Sequence, residues 1–169
     1  MIFIFDLDQT LIDSKNLEYY RNLRDWKTVY NMIDQNQFTT YEKIDEILFN
    51  LKNRKFKIGL VTSSPSTYAY RIINKLNWKF DTIVCYHDTS LKKPNPDPIL
   101  KALDNLNVSK IEYEKVYSFG DRDIDIVASQ RAGVISVACI WGADNIEMLK
   151  NSNPDFIIKN PIEILDLVK

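Results

Sequence analysis

The sequence predicts an α/β fold in which helices cover both faces of a mainly parallel sheet. Two observations predict it. Short apolar runs rich in Ile, Val and Phe alternate along the chain with amphipathic segments of helical spacing. The most polar clusters also follow the ends of those runs, where sheets of this kind place their sites.

The strand-like runs are 2–5, 58–61, 82–85, 116–119, 134–138 and 156–158. Most are flanked by turn or charged residues and carry no polar alternation, which predicts strands buried on both faces. Between them, Ile44, Ile47, Leu48 and Leu51 fall at i, i+3, i+4 and i+7. Ala69, Ile72, Ile73 and Leu76 repeat that spacing, as do Ile99, Ala102, Leu103 and Leu106. Ser64-Pro65 and Asp97-Pro98 each predict a capping side chain before a proline at the first helical position. Gly133 predicts the end of a helix that begins near Asp123. Strand–helix alternation of this type builds right-handed βαβ units. One segment breaks the rhythm. From Ser14 to about Thr40 there is no strand-like run, and Trp26, Val29, Tyr30 and Ile33 stand at core spacing, so residues 14–40 are expected to form a small helical insertion. The core domain would then comprise residues 1–13 and 41–169.

Length and composition narrow the functional classes. At 169 residues, 45% hydrophobic and 27% charged, the chain fits one globular domain with a modest insertion. A net charge of -1 gives no electrostatic footprint for nucleic acid or an anionic membrane. Cys85 and Cys139 each sit in an apolar run and read as reduced core thiols. The start of the chain has no basic segment before its short apolar run, and no stretch approaches about 20 apolar residues. A soluble, cytoplasmic protein is expected. Nothing in the chain points to an oligomeric state.

Four polar clusters carry the chemistry. Asp6-Leu7-Asp8-Gln9-Thr10 follows the first run, and Thr62-Ser63-Ser64-Pro65 the second. Lys92-Lys93-Pro94 follows the third at some distance, and Gly120-Asp121-Arg122-Asp123-Ile124-Asp125 the fourth. Carboxylates at i and i+2 leaving a strand repel unless a cation lies between them or one holds a proton. Asp121 and Asp125 add negative charge nearby, and oxygen ligands in this number suit a hard cation such as Mg2+. The turn at Thr62-Ser63-Ser64 runs into a helix whose first amides are free to bind an anion. Lys93 brings a positive charge. Together these groups suit the stabilisation of a phosphoryl group in transfer.

The ordered set resembles the haloacid dehalogenase (HAD) superfamily, phosphoglycolate phosphatase-like branch. Asp6-Leu-Asp8-Gln-Thr10, continued by Leu11-Ile12-Asp13-Ser14, is similar to its first motif. Thr62 after Ile58-Gly59-Leu60-Val61 is similar to the second, and Lys93 before Pro94 to the third. Gly120-Asp121-x-x-x-Asp125, with Ala132-Gly133 beyond it, is similar to the fourth. The resemblance implies a Rossmann-like three-layer sandwich with a cap inserted after the first strand. It implies a Mg2+-dependent phosphatase that hydrolyses phosphate monoesters through an aspartyl-phosphate on Asp6, with Asp8 as general acid and base. Thr62 and Ser63 would hold the phosphoryl oxygens, Lys93 would neutralise charge on nucleophile and phosphate, and Thr10 would be a structural helper. The ion would be held by the Asp6 carboxylate, the Asp8 carbonyl and Asp121, with Asp125 binding directly or through water. A carboxyl group at Asp8 favours phosphoryl transfer over dehalogenation. The insertion is shorter than the four-helix cap usual in that branch, which makes a larger substrate easier to admit than the small phosphorylated molecule otherwise expected.

Other residues have blander readings. Arg21 and Arg24 read as a solvated face, Trp26 as core, and Asp13 as a helix cap. His87 and Lys92 read as bystanders, Arg122 and Asp123 as helix decoration, and Tyr68, Tyr70, Trp78 and Phe80 as packing. Three other functions compete: a receiver-like signalling domain, a catalytically silent binding module of the same fold, and a phosphomutase. The receiver reading is disfavoured because the Asp-x-Asp pair comes first and the extra acids last.

Overall fold

The computed structural model describes residues 1–168. Six strands form one parallel sheet: β1 (Ile2–Phe5), β4 (Lys57–Val61), β5 (Thr82–Val84), β6 (Val116–Gly120), β7 (Ile135–Cys139) and β8 (Phe156–Ile158), in the order β5-β4-β1-β6-β7-β8. Every pairing within it is parallel, with Ile4 opposite both Gly59 and Ser118 at its centre. The expected α/β sandwich is the observed one.

Alternation along β1 builds the layers. Phe3 and Phe5 point to one face and pack with α3 (Ile44–Asn53), α4 (Ser66–Lys75) and the closing 3-10 helix Pro161–Val168. Ile2 and Ile4 point to the other, against α5 (Asp97–Asn105) and α6 (Asp123–Ala132). Helix α3 buries Ile44, Ile47, Leu48 and Leu51, the face its spacing predicts. Phe3, Phe5 and Phe119 stack within the first layer, Phe5 and Phe119 with centroids 4.7 Å apart. Gly133 ends α6 with φ of 78°, in the left-handed region that glycine enters at least steric cost.

The segment after β1 holds α1 (Lys15–Asn22) and α2 (Trp26–Asp34). Val29 and Ile33 are buried, Trp26 and Tyr30 partly so, and the Tyr30 hydroxyl lies 2.6 Å from that of Thr67 on α4. The segment is not wholly helical. Residues Ile12–Asp13 (β2) pair antiparallel with Thr39–Thr40 (β3), a ribbon at the foot of the two helices. Two-residue strands carry too little pattern to be seen in sequence, and their pairing is non-local. The short strand α7 precedes is β8, with α7 spanning Ile146–Asn151.

Two helix starts differ from expectation. Pro65 itself is the N-cap of α4, with extended backbone, and Ser64 precedes it without capping. Asp97 is the first residue of α5, with Pro98 second, and the Asp97 amide is bonded by the Asn95 side chain. Ser14, not Asp13, is the N-cap of α1, although the Asp13 side chain does accept from the Lys15 amide at 3.1 Å. Cys85 and Cys139 are buried free thiols. No helix among the described residues is long and apolar enough to cross a membrane.

Candidate active site

Strands β4, β1 and β6 lie side by side at the sheet centre, so the loops leaving their carboxyl ends are neighbours. They open into a cavity of about 520 Å³ lined by Asp6, Asp8, Thr62, Ser63, Lys93, Asp121 and Asp125, among others. Every candidate site residue from the sequence faces this one cavity.

Lys93 is its centre. The side chain is 4% exposed, and Nζ donates to Asp6 Oδ1 at 2.7 Å, to Asp125 Oδ1 at 2.6 Å and to the Val61 carbonyl at 3.1 Å. Burial opposes its charge, but Asp125 and Asp6 outweigh that, so the ammonium is held more firmly than in water. Lys92 turns away and donates to the Tyr86 and Thr89 carbonyls. Asp125 is seated close by Gly120, where any Cβ would lie 2.2 Å from the Asp125 Cβ. Its Oδ2 accepts from the Arg122 amide at 3.1 Å.

Asp6, Asp121 and Asp125 offer oxygens that all lie within 4.8 Å of one another. Burial raises the Asp6 carboxyl to about 7, with Lys93 opposing and Asp125 adding to the rise. Burial and then the charges of Asp125 and Asp6 raise Asp121 to about 9. Thr10 donates its hydroxyl to Asp121 Oδ1 at 3.0 Å. Three buried carboxylates against one ammonium leave a deficit of two positive charges, and an all-oxygen donor set suits a hard divalent cation. The residues present fit Mg2+. Asp123 is outside the cluster, and the Asp8 carboxylate is engaged elsewhere.

The Asp8 carboxylate is gripped from four directions. Oδ1 accepts from Ser14 Oγ, Arg21 Nη1 and the Tyr68 hydroxyl, each at 2.6 Å, and Oδ2 accepts from Ser64 Oγ at 2.7 Å. This corrects one reading and adds to another. Arg21 is not on a solvated face: its side chain is 22% exposed and ion-paired with Asp8. Tyr68 does pack in the core, fully buried, yet its hydroxyl reaches the site. The available signal was position, since Tyr68 stands one turn after the Ser64 loop. Arg24 is exposed, as is His87. Thr62 is buried, its Oγ1 accepting from the Ser64 amide at 3.1 Å, while Ser63 is exposed at the cavity wall.

The family model for haloacid dehalogenase-like hydrolases matches residues 18–139, well over half the chain. The chain belongs to that family. Among haloacid dehalogenase-like relatives, a Clostridium perfringens protein with a provisional pyrophosphatase name, PpaX, is 40% identical over 131 residues, 76% of this chain and 60% of its own. The phosphoglycolate phosphatase of Aquifex aeolicus is 34% identical over 130 residues, 76% of this chain and 58% of its own. The chain thus spans about three fifths of the length of these curated relatives. A crystal structure from Clostridium difficile, provisionally described as a phosphatase, shares the fold at a TM-score of 0.85. It is 22% identical, over 99% of this chain and 98% of its own.

Proposed function

We propose that the chain is a Mg2+-dependent phosphatase that cleaves phosphate monoesters through a covalent phosphoryl group on Asp6. The observation that carries this reading is the convergence of Asp6, Asp8, Lys93, Thr62, Ser63, Asp121 and Asp125 on one cavity. The phosphatase and pyrophosphatase names of its relatives support it.

In the first half-reaction a carboxylate oxygen of Asp6 attacks phosphorus, the bond from phosphorus to the leaving oxygen breaks, and Asp8 gives that oxygen its proton. In the second, Asp8 takes a proton from water. The water oxygen attacks phosphorus, the bond to Asp6 breaks, and inorganic phosphate leaves. Division into two displacements lowers the cost of each. Lys93 fixes Asp6 and offsets charge on the phosphoryl oxygens, which Thr62 and Ser63 hold by hydroxyl and amide. Asp6 and Asp121 would hold Mg2+ together with the Asp8 carbonyl, and Asp125 directly or through water. When bound, the ion neutralises charge on the carboxylates and the phosphoryl group.

Residues 14–40 act in this reading as a small cap over a core of residues 1–13 and 41–169. The substrates are small phosphorylated molecules of the cytoplasm. The polar residues Glu18, Asn22 and Asn145 along the cavity wall suit small and polar leaving groups. Purified protein should release phosphate from an aryl phosphate only with Mg2+, and Asp6→Asn should abolish release. Robust turnover by Asp6→Asn would exclude the mechanism.

A further inference from the structure

We propose that Arg21 is a positioning residue that, with Ser14, Ser64 and Tyr68, fixes the orientation of the Asp8 carboxylate and so couples the inserted helices to catalysis. The proposal rests on the acid–base role given to Asp8 above. Oδ1 of Asp8 takes three donors at 2.6 Å, from Ser14, Arg21 and Tyr68, whereas Oδ2 takes one, from Ser64. Rotation of the carboxylate about its Cβ–Cγ bond would break all three contacts at Oδ1. That oxygen is the held one, and Oδ2 has the spare capacity to face a substrate or water.

Arg21 ties the cradle together. Nη1 bonds Asp8 Oδ1 and, at 3.4 Å, Ser14 Oγ, while Nη2 donates to Ser64 Oγ at 2.9 Å. Its guanidinium also lies 4.7 Å from the centre of the Tyr68 ring. A planar fork spanning three partners has no equivalent in lysine. Two of the four donors, Ser14 and Arg21, belong to the inserted segment, and Ser64 and Tyr68 follow β4. Departure of α1 would therefore remove half the cradle at once. A guanidinium spent on four protein contacts is poorly placed to be a substrate anchor, which separates positioning from binding.

Pre-steady-state kinetics of Arg21→Met with 4-nitrophenyl phosphate, which needs no proton on its leaving oxygen, tests this. Misplacing Asp8 should spare the first displacement and slow the second. The expected result is a burst near one nitrophenolate per enzyme, larger than the wild type's, then steady turnover lower by about 10²-fold with no rise in KM. Arg21→Lys should fall between. A rise in KM at unchanged kcat would overturn the proposal in favour of substrate binding. A parallel fall without a burst would overturn it in favour of a merely structural role. Should the wild type show no Asp6-dependent turnover, the function proposed above fails, and the crystal structure of Arg21→Met/Tyr68→Phe decides orientation alone. A rotated or multiply placed Asp8 side chain supports the proposal, and an unchanged one overturns it.

Discussion

At the scale of single residues, the site is a problem of charge. Lys93 reaches Asp6 and Asp125 but not Asp121, whose partner is the Thr10 hydroxyl. Asp6 and Asp121 carry carboxyls raised from 3.8 to about 7 and about 9, so the folded state binds their protons more tightly than the unfolded chain does. Stability from these groups is complete below about pH 4 and is lost as pH rises through 7 and then 9. Chelated protein should therefore melt at falling temperature between pH 5 and 9, and Mg2+ should restore more at pH 8 than at pH 5. Asp121→Asn should flatten the metal-free profile and remove most of the Mg2+ gain; scanning calorimetry reads both, at about 2–4 °C per kcal/mol. A flat profile in the wild type would contradict the charge account. The four polar clusters were legible because each follows the end of a buried, strand-like run. Arg21 and Tyr68 were not, since spacing tells which helix face a side chain occupies but not whether its tip returns to a loop.

Helices and strands were legible where burial imposes a period. The α3 stripe of Ile44, Ile47, Leu48 and Leu51 is fully in the core, and Leu51→Ala should cost about 2–5 kcal/mol in urea unfolding with little change in metal affinity. A cost below about 1 kcal/mol would mean the face is not packed as described. Boundaries were less legible. Ser64 resembles an N-cap in sequence, but its hydroxyl is committed to Asp8 and Arg21, so Pro65 takes the cap position without a side-chain bond. Between β6 and α6, Gly120 lets Asp125 approach the strand end. Gly120→Ala should displace Asp125, lose about 1–3 kcal/mol and weaken Mg2+-dependent stabilisation, as titration of the melting temperature would show. Retention of full Mg2+ response would place the ion away from Asp125.

Across the whole molecule, function follows from strand order. With β1 between β4 and β6, motifs far apart in sequence meet at one end of the sheet, and Lys93 arrives there from the loop before α5. Parallel topology was readable from alternation of periods, and the position of the site followed from it. The β2–β3 ribbon was not readable, because its two-residue strands exist only through their mutual pairing. The proposed chemistry makes one covalent demand on this architecture, a phosphoryl group on Asp6 that Asp8 later helps to remove. Asp8→Asn protein, mixed with radiolabelled phosphate ester and Mg2+ and quenched in acid, tests it most directly. Label retained on the peptide containing Asp6 and released by hydroxylamine is the predicted result. Label absent from that peptide while the variant still turns over substrate, or found on another residue, would contradict it.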